Sequence, residues 1–132
     1  MSAVKVKADF SILIADDDGG SRDAIRDIIQ PEGFQTYSVA SGEEAIDLLQ
    51  ERPVHLVLLD MHMQTMTGLE ALRLARQINA LLPAILVTAD ATDSLVREAI
   101  AAQVFSVVPK PVSKSVLLYT VLRALRRAYG VA

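Results

Sequence analysis

Val54-His55-Leu56-Val57-Leu58-Leu59-Asp60 decides the fold. Five of the six residues ahead of Asp60 are aliphatic, and after His55 no polar residue alternates with them. A run apolar on both faces predicts a strand inside a parallel sheet that is covered on both sides. Upstream, Ser41-Gly42-Glu43-Glu44 reads as a capping box, opening a helix that buries Ala45, Leu48 and Leu49 and stops at Pro53. Downstream, Thr67-Gly68-Leu69-Glu70 is a second capping box, with Leu69, Leu72, Ala75 and Ile78 on one face.

The same alternation extends to both ends. Phe10 to Ala15 predicts a buried strand, followed by a helix with Ala24, Ile25, Ile28 and Ile29 on one face, ended by Pro31 and Gly33. Phe34 to Val39 predicts a second strand, Ala84 to Thr88 a fourth and Val104 to Val108 a fifth. Leu95, Val96, Ala99 and Ile100 mark the fourth helix. The last starts at Ser113 and turns Leu118, Val121, Leu122, Leu125 and Tyr129 inward. Five strands and five helices in strict alternation give an α/β fold, with one parallel sheet between two helical layers. Ligands of such sheets sit at the carboxyl ends of the strands.

Those ends carry the chemistry. The first strand ends in Asp16-Asp17-Asp18, the third in Asp60, the fourth in Thr88, and the fifth runs into Pro109-Lys110-Pro111. Asp18 is read as a helix cap, but one cap does not require three acids. Two unit charges about 4 Å apart repel by about 4 kcal/mol at an effective dielectric near 20. Asp16, Asp17 and Asp60 therefore call for compensation beyond Lys110, which a hard cation with oxygen ligands supplies. His55 is expected to be a satisfied core residue.

Composition agrees with one compact domain. The chain has 132 residues, 52% of them hydrophobic, and no cysteine, which excludes disulfides and thiolate metal sites. No apolar run approaches the roughly 20 residues of a membrane span, and Met1 to Asp9 is too polar for a secretory signal, so a cytoplasmic domain is expected. Residues 1–60 carry twelve acids against five bases, and residues 61–132 four against eight. The three arginines of the last helix, Arg123, Arg126 and Arg127, are too few for a nucleic-acid footprint.

Together these residues resemble the receiver domain of bacterial two-component response regulators, over essentially residues 1–132, expected as a single domain (ordered core about 10–129) with no effector domain within these residues, whether stand-alone or part of a larger protein. The resemblance rests on Ile14-Ala15-Asp16-Asp17-Asp18 with Arg22, on Leu58-Leu59-Asp60-Met61-His62-Met63 with Gly68, on Val87-Thr88-Ala89, and on Lys110-Pro111. It implies a flavodoxin-like sheet in the order 2-1-3-4-5. It implies that Asp60 is the phosphoacceptor for a sensor histidine kinase or phosphotransfer protein, and that the chain is a signalling switch rather than an enzyme. Mg²⁺ (or Mn²⁺) would be held by Asp17, Asp60 and the backbone carbonyl of His62, with Asp16 acting through water. Lys110 and Thr88 would meet the phosphoryl group, His62 and Asp90 would tune its hydrolysis, and the bond before Pro111 would be cis. Output would pass through the fourth-helix, fifth-strand, fifth-helix face to an effector domain or output protein, in a monomer or weak dimer.

The chain departs from that pattern at three places. Gln64 stands where the family usually has proline, and Gly19-Gly20 replace a common proline and its neighbour; both changes are expected to loosen the loops at the site. Val107 replaces the aromatic that swings with Thr88, and Phe105 points to the same sheet face by parity. Val107 and Gln64 favour an alternative, a pseudo-receiver serving as a constitutive interaction module, and the presence of all five key positions argues against it. A haloacid-dehalogenase-type phosphatase would want a second acid at His62, and a flavodoxin would want no acids after the first strand.

Overall fold

The computed structural model describes residues 7–130; most of the segment weighed as a secretory signal, residues 1–6, and the last two residues lie outside that range. A 3-10 turn, Lys7–Asp9, leads into β1 (Ser11–Ala15), α1 (Gly19–Ile29), a second 3-10 turn (Gln30–Glu32) and β2 (Gln35–Val39). Then follow α2 (Gly42–Glu51), β3 (Leu56–Asp60), α3 (Gly68–Ile78), β4 (Ala84–Thr88), α4 (Asp93–Ala101), β5 (Ser106–Pro109) and α5 (Lys114–Tyr129). The five strands are all parallel, in the order β2-β1-β3-β4-β5. All residues of β1, β3 and β4 are buried, whereas β2 and β5 are partly exposed edges. Full burial of each aliphatic side chain contributes about 1.5–3 kcal/mol, so the most apolar runs occupy the centre.

Alternate residues feed two cores. Leu13, Val57, Leu59 and Leu86 pack with Ala45 of α2, Leu72 of α3 and Leu95 of α4. Ile12, Ile14, Leu58, Ile85 and Val87 pack on the other face with Ile25 of α1 and Leu117, Val121 and Leu125 of α5.

Several inward assignments fail on helix geometry. Ile78 is 42% and Ile100 70% exposed. Each step of three residues falls about 60° short of a full turn, so the series Leu69, Leu72, Ala75, Ile78 drifts halfway round its helix. Ile100 lies about 100° round from buried Ala99, and exposed Ala24 stands in the same relation to Ile25. The Thr67–Glu70 capping box forms in full. At α2 only half of one forms: Ser41 accepts from the Glu44 N–H, but the Glu44 carboxylate accepts from Ala40 instead of Ser41.

His55 precedes β3 and is half-buried. Its Nδ1 accepts the Ser11 N–H at 2.9 Å, and its ring meets Phe10 and Tyr129 edge-on. The Tyr129 hydroxyl donates to the His55 carbonyl at 2.6 Å, bolting the end of α5 to the end of the sheet opposite the acids.

Candidate functional site

Parallel pairing brings the strand ends into register. Ala15 lies beside Leu59 and Asp60 beside Val87, so the residues that follow β1, β3 and β4 share one rim. Asp16, Asp17 and Asp60 each place a carboxylate oxygen there, all within 4.8 Å of one another. Asp16 is fully buried, Asp60 6% exposed and Thr88 fully buried, whereas Asp17 faces solvent.

Lys110 reaches the cluster from the end of β5. Its Nζ is 3.0 Å from Asp16 Oδ2 and 3.4 Å from Asp60 Oδ1. The Lys110–Pro111 peptide bond is cis. Burial opposes ionisation of Asp16, but hydrogen bonds from Ser21, the Asp18 N–H and Lys110 outweigh it and hold the carboxyl below its ordinary value. Burial raises Asp60 above its ordinary value, the Asp16 charge adds to this, and Lys110 offsets only part. Burial likewise opposes the Lys110 charge, yet Asp16 and Asp60 hold its pKa up. The result is one firmly ionised acid, one reluctant acid and one firmly charged amine.

The donor set is all oxygen, and three acids against one ammonium leave negative charge unmatched. Such a set fits a hard divalent cation. An open groove of about 420 Å³, lined by Ser21, Ala24, Ala89, Lys110, Pro111 and Val112, borders the amine. A larger groove of about 650 Å³ between α3 and α4 touches none of the four charged groups.

The surrounding contacts hold this geometry. Asp18 caps α1 by accepting the Ser21 N–H at 3.1 Å, and Arg22 donates to the Asp16 carbonyl at 2.7 Å. The Gly19-Gly20 pair therefore lies inside a capped first turn. The loop after Asp60 also has a main-chain tie. The Gln64 N–H, which a proline would lack, donates to Asp17 Oδ2 at 3.2 Å. His62 is exposed, with its N–H 3.4 Å from Asp60 Oδ1. Asp90 is also exposed, and its N–H donates to Thr88 Oγ1 at 3.1 Å.

Val107 and Phe105 do not share a face. Val107 packs with Leu13 and Leu86, whereas Phe105 packs on the opposite core with Ala124 and Leu125. Strand parity fails because Phe105 precedes β5. The Arg123 guanidinium sits 6.0 Å from its ring centre and 5.6 Å from that of Tyr119.

Gly68 has a role that spacing alone does not reveal. Its N–H donates to the Met61 carbonyl, and an added Cβ would lie 2.6 Å from the Asp60 carbonyl oxygen and 3.0 Å from Leu86. Backbone cannot retreat as a side chain can. Gly68→Ala is expected to cost about 2–3 kcal/mol, at the upper end of overpacking. Urea unfolding checks this, and an unchanged midpoint would refute the tight contact.

Comparison with known proteins agrees with the geometry. The family model of the response regulator receiver domain matches residues 12–122. The chain is 34% identical over 87 residues to sporulation initiation phosphotransferase F of Bacillus subtilis, covering 66% of this chain and 70% of that one. It is 33% identical over 115 residues to the regulatory protein AtoC of Escherichia coli, covering 87% of this chain but only 25% of that protein. A CheY-like receiver domain from Methanospirillum hungatei JF-1 superposes with a TM-score of 0.86 at 26% identity, covering 92% of this chain and 97% of the other. With its sheet order and the family model matched over most of its length, the chain belongs to the response regulator receiver domain family.

Proposed function

We propose that this receiver is a phosphoacceptor switch of a two-component phosphorelay. Asp60 takes a phosphoryl group from the phosphohistidine of a sensor histidine kinase or phosphotransfer protein. The convergence of Asp16, Asp17, Asp60 and Lys110 on one rim, beside buried Thr88, carries the reading. An Asp60 carboxylate oxygen bonds to phosphorus as the phosphorus–nitrogen bond breaks. The electron pair stays on the imidazole nitrogen, which takes up a proton.

Lys110 transfers its charge from Asp60 to the phosphoryl oxygens, and the Thr88 hydroxyl donates to one of them. Asp17, Asp60 and the His62 carbonyl would hold Mg²⁺ (or Mn²⁺), with Asp16 linked through water; when bound, the cation neutralises the charge on the transferring phosphoryl oxygens. His62 and Asp90 flank the modified aspartate at the solvent side and tune its hydrolysis. The chain modifies and demodifies itself, and so is not a turnover enzyme.

The modification is read on the face of α4, β5 and α5, where Ile100, Val116 and Tyr119 are exposed. An effector domain or output protein docks there, with no direct contact to nucleic acid or membrane. Among the described residues no helix is long and apolar enough to cross a bilayer. A cytoplasmic site of action fits a histidine-kinase partner.

Intact mass after incubation with acetyl phosphate tests the reading. One phosphoryl group is expected with Mg²⁺ present, and none after chelation. Uptake that ignores chelation would refute the role of the acidic cluster. No uptake, together with no response to a beryllofluoride titration, would favour the pseudo-receiver.

A further inference from the structure

Residues 64–66 form a strap between the acidic rim and α2. At one end the Gln64 N–H donates to Asp17 Oδ2 at 3.2 Å. At the other the Thr65 hydroxyl lies 2.6 Å from Glu43 Oε2, in the first turn of α2. Thr65 has φ +63°, a region a β-branched residue rarely adopts, so the surrounding contacts must hold it there. The Met66 N–H closes a tight turn onto the Gln64 carbonyl at 2.6 Å. Met66 also covers Gly42: an added Cβ there would sit 2.7 Å from its sulfur.

Asp17 is the solvent-facing member of the cluster. An exposed aspartate samples several rotamers, and only some aim an oxygen at its neighbours. The Gln64 amide restricts that freedom by engaging Oδ2. Hydrogen bonds to ionised acceptors are among the stronger ones.

We propose that the backbone amide of Gln64 is a positioning group for the metal-side carboxylate of Asp17, and that Thr65 and Glu43 tie this loop to the first turn of α2. This rests on the reading of the rim as a divalent-cation site. The state of that site is then coupled to α2, an element that contributes none of its ligands. The coupling is a contiguous chain of hydrogen bonds, with an amide that a prolyl residue could not provide.

The test is a titration with Mg²⁺ alone, followed by amide chemical shifts. Gln64→Pro removes the donor and is expected to weaken Mg²⁺ about three- to tenfold, the range for losing one hydrogen bond of ordinary net strength at a solvent-facing carboxylate. Gln64→Ala keeps the N–H and should restore the wild-type affinity, separating the amide from the side chain. Thr65→Val removes the hydroxyl without changing charge, and should weaken Mg²⁺ by about two- to threefold. It also keeps the inference testable should Gln64→Pro fail to fold. Wild-type affinity in both Gln64→Pro and Thr65→Val overturns the strap while leaving the cation site standing. Equal losses in Gln64→Ala and Gln64→Pro overturn the role of the amide. A wild-type chain with no saturable Mg²⁺ response overturns the cation site and the strap with it.

Discussion

Asp60→Asn is expected to take up no phosphoryl group from acetyl phosphate, and yet to unfold at a higher urea concentration than the wild type. The first result follows from nucleophilicity. An amide oxygen carries no charge to donate to phosphorus. The neighbouring acids cannot replace it: Asp16 is fully buried and held by Lys110, and Asp17 is engaged by Gln64. The second result follows from charge. Asp60 is buried beside Asp16, and both effects raise its pKa. Like charges at this range repel by about 4 kcal/mol at an effective dielectric near 20, and Lys110 offsets much of that. Losing the acid also loses its 3.4 Å contact with Lys110, so the net gain is about 1 kcal/mol.

The pH dependence fixes the sign. A carboxyl whose folded pKa is raised costs stability above its unfolded value, near pH 4, and the cost fades as pH falls through the folded value. The advantage of Asp60→Asn should therefore shrink as pH falls through the folded value and vanish below about pH 4. A variant less stable than wild type at pH 7 would sink this account of the rim.

What the sequence revealed follows from what is periodic. The aliphatic runs of β1, β3 and β4 specify central strands, because an all-apolar strand has no solvated face to offer. The acids and the lysine are legible because they interrupt those runs at fixed places. Ile78, Ile100 and Phe105 are misplaced by sequence, because three-residue spacing drifts on a helix and parity ends where the strand does. The main-chain ties of the loops are missed for a different reason. Gln64 and Gly19-Gly20 suggest slack when read as missing prolines, yet backbone amides fill the gap. The Gln64 N–H reaches Asp17, and Asp18 caps the turn that the glycines open. Main-chain donors are the same in every non-prolyl residue, so no side-chain pattern announces them.

Lys110→Met should move stability in the opposite direction from Asp60→Asn, and by more. The amine is the cation that contacts Asp16 and Asp60 among the described ion pairs, at 3.0 and 3.4 Å. Methionine roughly preserves the volume of the stem while removing the charge. Breaking a buried ion pair on one side leaves the partner charge uncompensated, at about 3–5 kcal/mol. The Lys110 side chain is 19% exposed, so water softens this and about 3 kcal/mol is expected at pH 7. Without the ammonium, both carboxyls titrate higher in the folded state than they do now. The penalty they impose is full above these raised folded values, shrinks as pH falls through them, and is gone below the unfolded ones. The gap between the variant and wild type in urea midpoint should therefore narrow steadily from pH 7 towards pH 4. A gap constant over that range would mean that Lys110 stabilises through packing of its stem and not its charge. Phosphoryl uptake supplies the second readout. Charge aimed at a developing anion in a dry site is commonly worth about a hundredfold or more in rate. Lys110→Met should thus still form the Asp60 adduct, but slowly, whereas Asp60→Asn forms none. A variant that is destabilised yet phosphorylated at the wild-type rate would assign Lys110 to the fold alone.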